Sequence, residues 1–199
     1  MTDAAAETSA KAILRAHMRP LRRGLVRDHP EADWQAADHA PAMLAALKLT
    51  KKPGVIAVYR ASGNEMDPRP LAEAMIKLGW RLALPACEAA DAPLVFRAFT
   101  PGDRLAPDNA GIAAPLDSAP QILPDIIVAP LLAFDARGWR LGQGGGYYDR
   151  TIQALRATAW PPVVVGLAYA GQEVERVPVD AYDQKLDAIL TESGYRPLP

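Results

Sequence analysis

The apolar positions of this chain recur at two periods, and the period changes near residue 54. Before that point the spacing is helical. Leu14, Met18, Leu21 and Leu25 fall four, three and four residues apart and predict one apolar stripe on a helix over Ser9–Arg27. Pro20 interrupts the stripe, which predicts a kink or a division in two. A second helix is expected to open at Pro30, a good first-turn residue, and to carry Trp34, Met43, Leu44 and Leu47, with a bend at Pro41. Beyond residue 54 the apolar residues come in short runs rich in β-branched side chains. Gly54–Tyr59, Arg81–Pro85, Leu94–Phe99, Asp125–Ala129, Pro162–Tyr169 and Ala188–Thr191 read as buried strands, with Asp125–Ala129 the best central one. Between the first two, Asp67-Pro68 predicts a helix start and Gly79 its end, around Leu71, Met75 and Leu78. That crossover has the length a parallel strand pair requires.

Two stretches break the pattern. Thr100–Pro124 is rich in Pro and Gly, and Gly138–Gly146 is a glycine-dense loop followed by a helix to about Thr158. Strands alternating with helices predict an α/β fold, with helices on both faces of a mostly parallel sheet. No repeat or long linker divides the chain, so residues 1–199 are expected to form one domain, with Met1–Thr8 as a loose tail.

Composition narrows the partners. The formal net charge of -1 supplies no overall field to recruit nucleic acid or a membrane surface. The single cysteine, Cys87, precludes an internal disulfide framework and fits a reducing cytosol. No apolar run approaches the roughly 18 residues that span a bilayer. Met1–Ala10 lacks the basic-then-apolar order of a signal peptide, so a cytoplasmic protein is expected, without nucleic-acid or membrane partners and as a monomer.

The chemistry concentrates in Arg140-Leu-Gly-Gln-Gly-Gly-Gly-Tyr-Tyr-Asp-Arg150, between a buried strand and a helix start. Open α/β sheets bind ligands at that kind of position. Gly142, Gly144, Gly145 and Gly146 let the backbone approach a ligand, and successive amides with the following helix start can cradle phosphate oxygens. No Gly-Lys-Ser/Thr follows, so this is no Walker A loop. Tyr147 stands at the third-glycine position of the dinucleotide fingerprint, which excludes that as well. The alternative is a glycine-rich turn, but a spacer would favour serine and threonine over two tyrosines and an Asp–Arg pair.

Other candidates are weaker alone. Lys11, Arg15, Arg19, Arg23 and Arg27 recur every four residues, with Arg22 added. That ridge drifts by about 40° per step, so only neighbours such as Lys11 and Arg15 can converge on one phosphate. A solvated basic face is the usual reading of such a run. Glu65, in the loop after the first strand, reads equally as a substrate ligand or a helix-capping carboxylate. Asp180, Asp183 and Asp187 form an acidic patch, which with Asp149 could serve Mg²⁺ beside phosphates, although surface acids are the commoner explanation. His17, His29 and His39 have no metal-ligand spacing, and Cys87 reads as a buried apolar residue.

Together these residues resemble the 5-formyltetrahydrofolate cyclo-ligase family over Lys11 to about Gly194. Arg140–Arg150 is similar to the family's R-L-G-x-G-x-G-Y-Y-D motif. Supporting elements are Lys11-x-x-x-Arg15, the Glu65 loop, Asp125–Pro130 with Phe134-Asp135, and Val177-Pro178 followed by Asp183 and Asp187. The family's usual Gly-Ile-x-Glu-Pro stretch stands here as Gly111-Ile-Ala-Ala-Pro115, preceded by Asp108-Asn109-Ala110 where an aromatic is common. Tyr182 stands where a histidine commonly precedes the second Asp.

The resemblance implies a three-layer αβα sandwich related to the sugar-phosphate isomerase and CoA-transferase folds. It implies ATP- and Mg²⁺-dependent closure of 5-formyltetrahydrofolate to 5,10-methenyltetrahydrofolate. By position, Lys11, Arg15 and the loop Arg140, Leu141, Gly142, Gln143, Gly144, Gly145, Gly146, Tyr147 and Tyr148 would hold ATP. Arg60 and Glu65 would contact folate, sharing residues 143–147 with the nucleotide. Asp149 and Asp183 would hold the metal, and catalytic roles would fall to Arg140 and Tyr147. Two other readings remain: a divergent relative that binds nucleotide but acts on another substrate, and a non-catalytic RNA- or membrane-surface binder using the basic helix.

Overall fold

The structure, a computed structural model, describes residues 2–49 and 53–199. Three helices lead the chain: α1 (Thr2–Asp28), α2 (Ala32–Asp38) and α3 (Ala40–Ala46). Helix α1 runs through Pro20 without dividing. The hydrogen bond that Pro20 cannot make would go to Ala16, and both residues face water, which can take the freed carbonyl. It also begins at Thr2, inside the stretch read as a tail, of which Met1 lies outside the described residues. The second predicted helix is really two. It starts at Ala32 rather than Pro30 and breaks at His39, because Pro41 fits only the first turn of a new helix. Trp34, placed on the apolar stripe from sequence, is 52% exposed.

The remaining elements are β1 (Val55–Ala57), α4 (Arg69–Lys77), β2 (Arg81–Ala86), β3 (Val95–Phe99), β4 (Leu105–Pro107), β5 (Ala113–Pro115), β6 (Ile126–Pro130), β7 (Ala133–Phe134), β8 (Arg140–Leu141), α5 (Tyr147–Arg156), β9 (Val163–Leu167), β10 (Ala188–Thr191) and β11 (Gly194–Pro197). Every strand read from sequence is present. The five unread ones fall into two short hairpins, β4–β5 and β7–β8, and an edge strand. They are two to four residues long, too short for a period to register.

One seven-stranded sheet has the order β11-β10-β9-β6-β1-β2-β3, which puts β6 at its centre. The inner pairings from β10 to β2 are parallel, and both edge strands run antiparallel. Alternate residues of the buried strands serve opposite layers. Ile56, Leu82, Ile126, Val128 and Val165 pack with α2, α3 and α4 residues such as Ala36, Met43, Leu71 and Met75. Val55, Ala57, Ala83 and Ile127 face the other way with Leu155 of α5, and Ala129, Val164 and Ile189 pack there with Ile152. The fold is therefore an α/β/α sandwich. No helix among the described residues is long and apolar enough to cross a membrane.

This topology places a cleft. From β1 the chain winds outward through β2 to β3, whereas β6 lies on the other side of β1 and leads to β9 and β10. The loops after β1 and β6 therefore diverge at the carboxyl ends of neighbouring strands, and a crevice opens between them. Helix α1 lies along this edge. Its Arg22 donates to the Leu131 carbonyl just beyond β6, and its Met18 packs with Leu132 and Leu141 of the β7–β8 region.

Candidate active site

The crevice has a volume of about 720 Å³ and collects residues from across the chain. Tyr59, Arg60, Ser62 and Glu65 arrive on the loop after β1, Cys87 follows β2, and Leu131 follows β6. Residues 140–150 form one wall. Lys11 and Arg15 come from α1, and Asp180 and Asp183 from the segment before β10. All fifteen residues to which the family resemblance gives a ligand, metal or catalytic role line this one space.

The glycine loop turns on two left-handed residues, Gly144 at φ 113° and Gly146 at φ 66°, the second capping α5. Among the described residues, the amides of Gln143 through Asp149 donate to no backbone or side-chain acceptor. Unpartnered amides at a helix start are what an anion-binding nest requires. Arg15 Nε donates to the Gly142 carbonyl at 2.9 Å, and Arg19 reaches the Gln143 side chain at 3.3 Å.

The cations and carboxylates of the site pair with one another. Lys11 Nζ lies 2.7 Å from Asp180 and 2.5 Å from Asp183. Burial would lower the Lys11 ammonium, but its hydrogen bonds to the two carboxylates outweigh that and hold it above 10.5. Burial acts to raise Asp180, and the Lys11 contact overrides it, leaving the carboxyl below the usual range. Arg140, only 7% exposed, donates to Asp149 Oδ1 at 2.8 Å and to the Gln184 carbonyl. Desolvation pulls its guanidinium below the usual value, with Asp149 opposing. Asp187, grouped with Asp180 and Asp183 from sequence, stands apart: it pairs with Arg156 and accepts the Val164 amide. The acidic patch is thus two clusters, split by the turn of chain that enters β10.

The Glu65 end differs. Glu65 Oε2 accepts the Ser62 amide at 2.9 Å inside the loop, so the carboxylate caps a turn rather than α4, whose first turn is closed by Asp67. Burial raises Glu65 above the ordinary 4.5, opposed by the Ser62 amide, the charge of Arg22 and a hydrogen bond with Gln143. Burial also pushes the Tyr148 and Tyr59 hydroxyls up, with the Glu65 charge adding to both, so they remain neutral donors. The Tyr59 hydroxyl donates to the Met66 carbonyl at 2.5 Å.

Arg22 is the main residue that the sequence reading missed. It was grouped with a solvated ridge, yet it is 5% exposed and forms no ion pair among the described residues, and its Nε has no partner. Lys11 is buried as well. The signal was available: Lys11, Arg15, Met18 and Arg22 follow the 4-3-4 spacing of one helix face, and seven-residue steps drift only about 20°. Counting every fourth residue hides that face.

Mg²⁺ needs only one or two carboxylates, its other positions going to water and phosphate. Asp149 Oδ2 and Asp183 Oδ1 have no hydrogen-bond partner among the described residues, and both carboxylates line the cleft, so the residues suit that ion. No cluster of three or more metal-type ligands occurs among the described residues.

Comparison with known proteins places the chain in a family. The model of the 5-formyltetrahydrofolate cyclo-ligase family matches residues 7–192. The 5-formyltetrahydrofolate cyclo-ligase of Escherichia coli K12 is 33% identical over 181 residues, covering 88% of this chain and 97% of that protein. The enzyme of the same name from Haemophilus influenzae is 30% identical over 190 residues, 92% of this chain and 98% of that one. The solved 5,10-methenyltetrahydrofolate synthetase of Aquifex aeolicus superimposes with a TM-score of 0.72 at 29% identity, covering 95% of this chain and 93% of that one. The synthetase of Mycoplasma pneumoniae shares the fold, with a TM-score of 0.68 at 22% identity. The chain belongs to the 5-formyltetrahydrofolate cyclo-ligase family.

Proposed function

We propose that this chain uses ATP to close 5-formyltetrahydrofolate to 5,10-methenyltetrahydrofolate, releasing ADP and phosphate. The observation that carries the reading is a convergence. Lys11 and Asp183, 172 positions apart, meet beside the glycine loop in the same cleft as Glu65. The loop amides, Arg15, Lys11 and Arg140 suit a triphosphate, while Arg60, Glu65 and Tyr59 suit the substrate. Mg²⁺, held through Asp149 and Asp183, would supply charge neutralisation for the phosphates.

The chemistry needs geometry more than a covalent nucleophile. The formyl oxygen is a poor leaving group until it attacks the γ-phosphorus and the bond to ADP breaks. The N10 amine then adds to the activated carbon and loses its proton, and phosphate departs with the former formyl oxygen. The protein holds the two substrates in line and stabilises the charge on the moving phosphoryl group. In this reading Arg140, held by Asp149 and the Gln184 carbonyl, takes that role, with Tyr147 as the first residue of α5 after the glycines.

The test is to incubate purified protein with the folate, ATP and Mg²⁺ and to follow the near-ultraviolet absorbance of the methenyl product. Intact ATP binding without product would reduce the reading to a nucleotide-binding relative with another substrate. The RNA- or membrane-binding reading is less favoured, because Lys11, Arg15 and Arg22 of the basic helix are committed inward. A steep salt-dependent gel shift would revive it.

A further inference from the structure

A loop that offers amides to an anion must turn its carbonyls elsewhere, since a carbonyl oxygen facing phosphate repels it. In this loop two arginines take the carbonyls, one near each end. Arg15 Nε holds the Gly142 oxygen at 2.9 Å, and Arg150 Nη2 holds the Gly145 oxygen at 3.0 Å. The peptide unit is planar and trans, so its C=O and N–H point in opposite directions. Anchoring the Gly145 carbonyl therefore aims the Gly146 amide away from Arg150. The same guanidinium lies over the Tyr147 ring, 5.1 Å from its centroid, and its Nε faces the Ala92 carbonyl at 3.5 Å. Asp91, at 3.9 Å on a fully exposed side chain, is too distant and too solvated to hold it. Gly146 completes the fit: a Cβ there would stand 2.7 Å from Arg150 Nη1.

We propose that Arg150 is a positioning residue for the nucleotide, fixing the Gly145–Gly146 peptide and the Tyr147 ring so that the loop is ordered before the phosphates arrive. The proposal rests on the reading of residues 142–148 as the triphosphate seat. The required geometry is a fork that reaches two separate carbonyls, of Gly145 and Ala92, while it stands over an aromatic ring, which a guanidinium provides and an ammonium does not.

The experiment compares wild type, Arg150→Met and Arg150→Lys by ADP titration calorimetry, steady-state kinetics and amide hydrogen exchange over 143–148 in the free protein. Arg150→Met should weaken ADP by about ten-fold or more, raise KM for ATP similarly, and speed exchange of the loop amides. Arg150→Lys, which keeps the charge, should recover only part of the affinity and little of the protection. Unchanged exchange and affinity in Arg150→Met would overturn the proposal. So would full recovery by lysine, which would make the effect one of charge alone. If the methionine variant melts below the assay temperature, the lysine variant alone decides, by whether its loop exchanges faster than wild type. Wild-type protein that binds no ADP would defeat the nucleotide reading instead, and the exchange comparison would still report whether Arg150 orders the loop.

Discussion

The two ends of the cleft solve the problem of buried charge in opposite ways. At the phosphate end every buried cation has a carboxylate: Lys11 holds Asp180 and Asp183, and Arg140 holds Asp149. At the proposed substrate end Glu65 and Arg22 influence each other without an ion pair among the described residues, and there the Arg22 Nε has no hydrogen-bond partner. Under the proposed function the first arrangement is a neutralised network open to partner exchange: an arriving triphosphate would draw the cations, and the freed carboxylates would be available to Mg²⁺. The second leaves a charge poised and only partly compensated, the condition under which ionisation responds most to a ligand.

Breaking the paired end should have the largest effect. Arg140→Ala removes a buried cation and strands Asp149, and it should lower kcat/KM for ATP by about 10³-fold and cost roughly 3 kcal/mol in denaturant unfolding. If both quantities stay at wild-type level, the paired network is not what holds the nucleotide.

At the other end, Glu65→Ala should raise KM for the folate by about 10- to 100-fold, the scale of a hydrogen bond to a charged group, while ADP affinity stays near wild type. Equal loss of both ligands would merge the two ends into one undivided site.

A pH series then sharpens the contrast. Because burial raises Glu65 above 4.5, folate binding should weaken as pH falls through that raised value, and Glu65→Gln should abolish the limb. Arg22 favours the ionised form, so Arg22→Met should move the limb to higher pH while changing stability by only about 1 kcal/mol, its partner being a lone carbonyl. An unmoved limb would remove Arg22 from the substrate end.

The smallest effect on stability concerns Lys11→Met, which breaks the pairing of a buried lysine with the part-exposed Asp180. It should reduce stability by about 1 kcal/mol, with a definite pH signature. Asp180 lies below its ordinary value when folded, so the stability it contributes is present above 3.8 and fades as pH falls through the depressed value. Lys11 lies above its ordinary value, so its contribution holds below 10.5 and fades as pH rises past the raised value. The variant should flatten both limbs in thermal melts.

The sequence by itself determined the buried strands and the glycine wall. Runs such as Asp125–Ala129 and Pro162–Tyr169 can satisfy a β-branched apolar face only inside a sheet, and glycines at 144 and 146 announce backbone that other residues avoid. The motif Arg140–Arg150 carried the family. Tertiary structure alone decided which charges meet. Whether Lys11 faces water or Asp183 and that Arg22 is buried depend on where α1 lies along the sheet edge, and whether Asp187 joins Asp183 or Arg156 depends on how the chain enters β10 beside α5. Charge pairing acts across space over a few ångströms, and these partners lie far apart along the chain, so no local period could encode them.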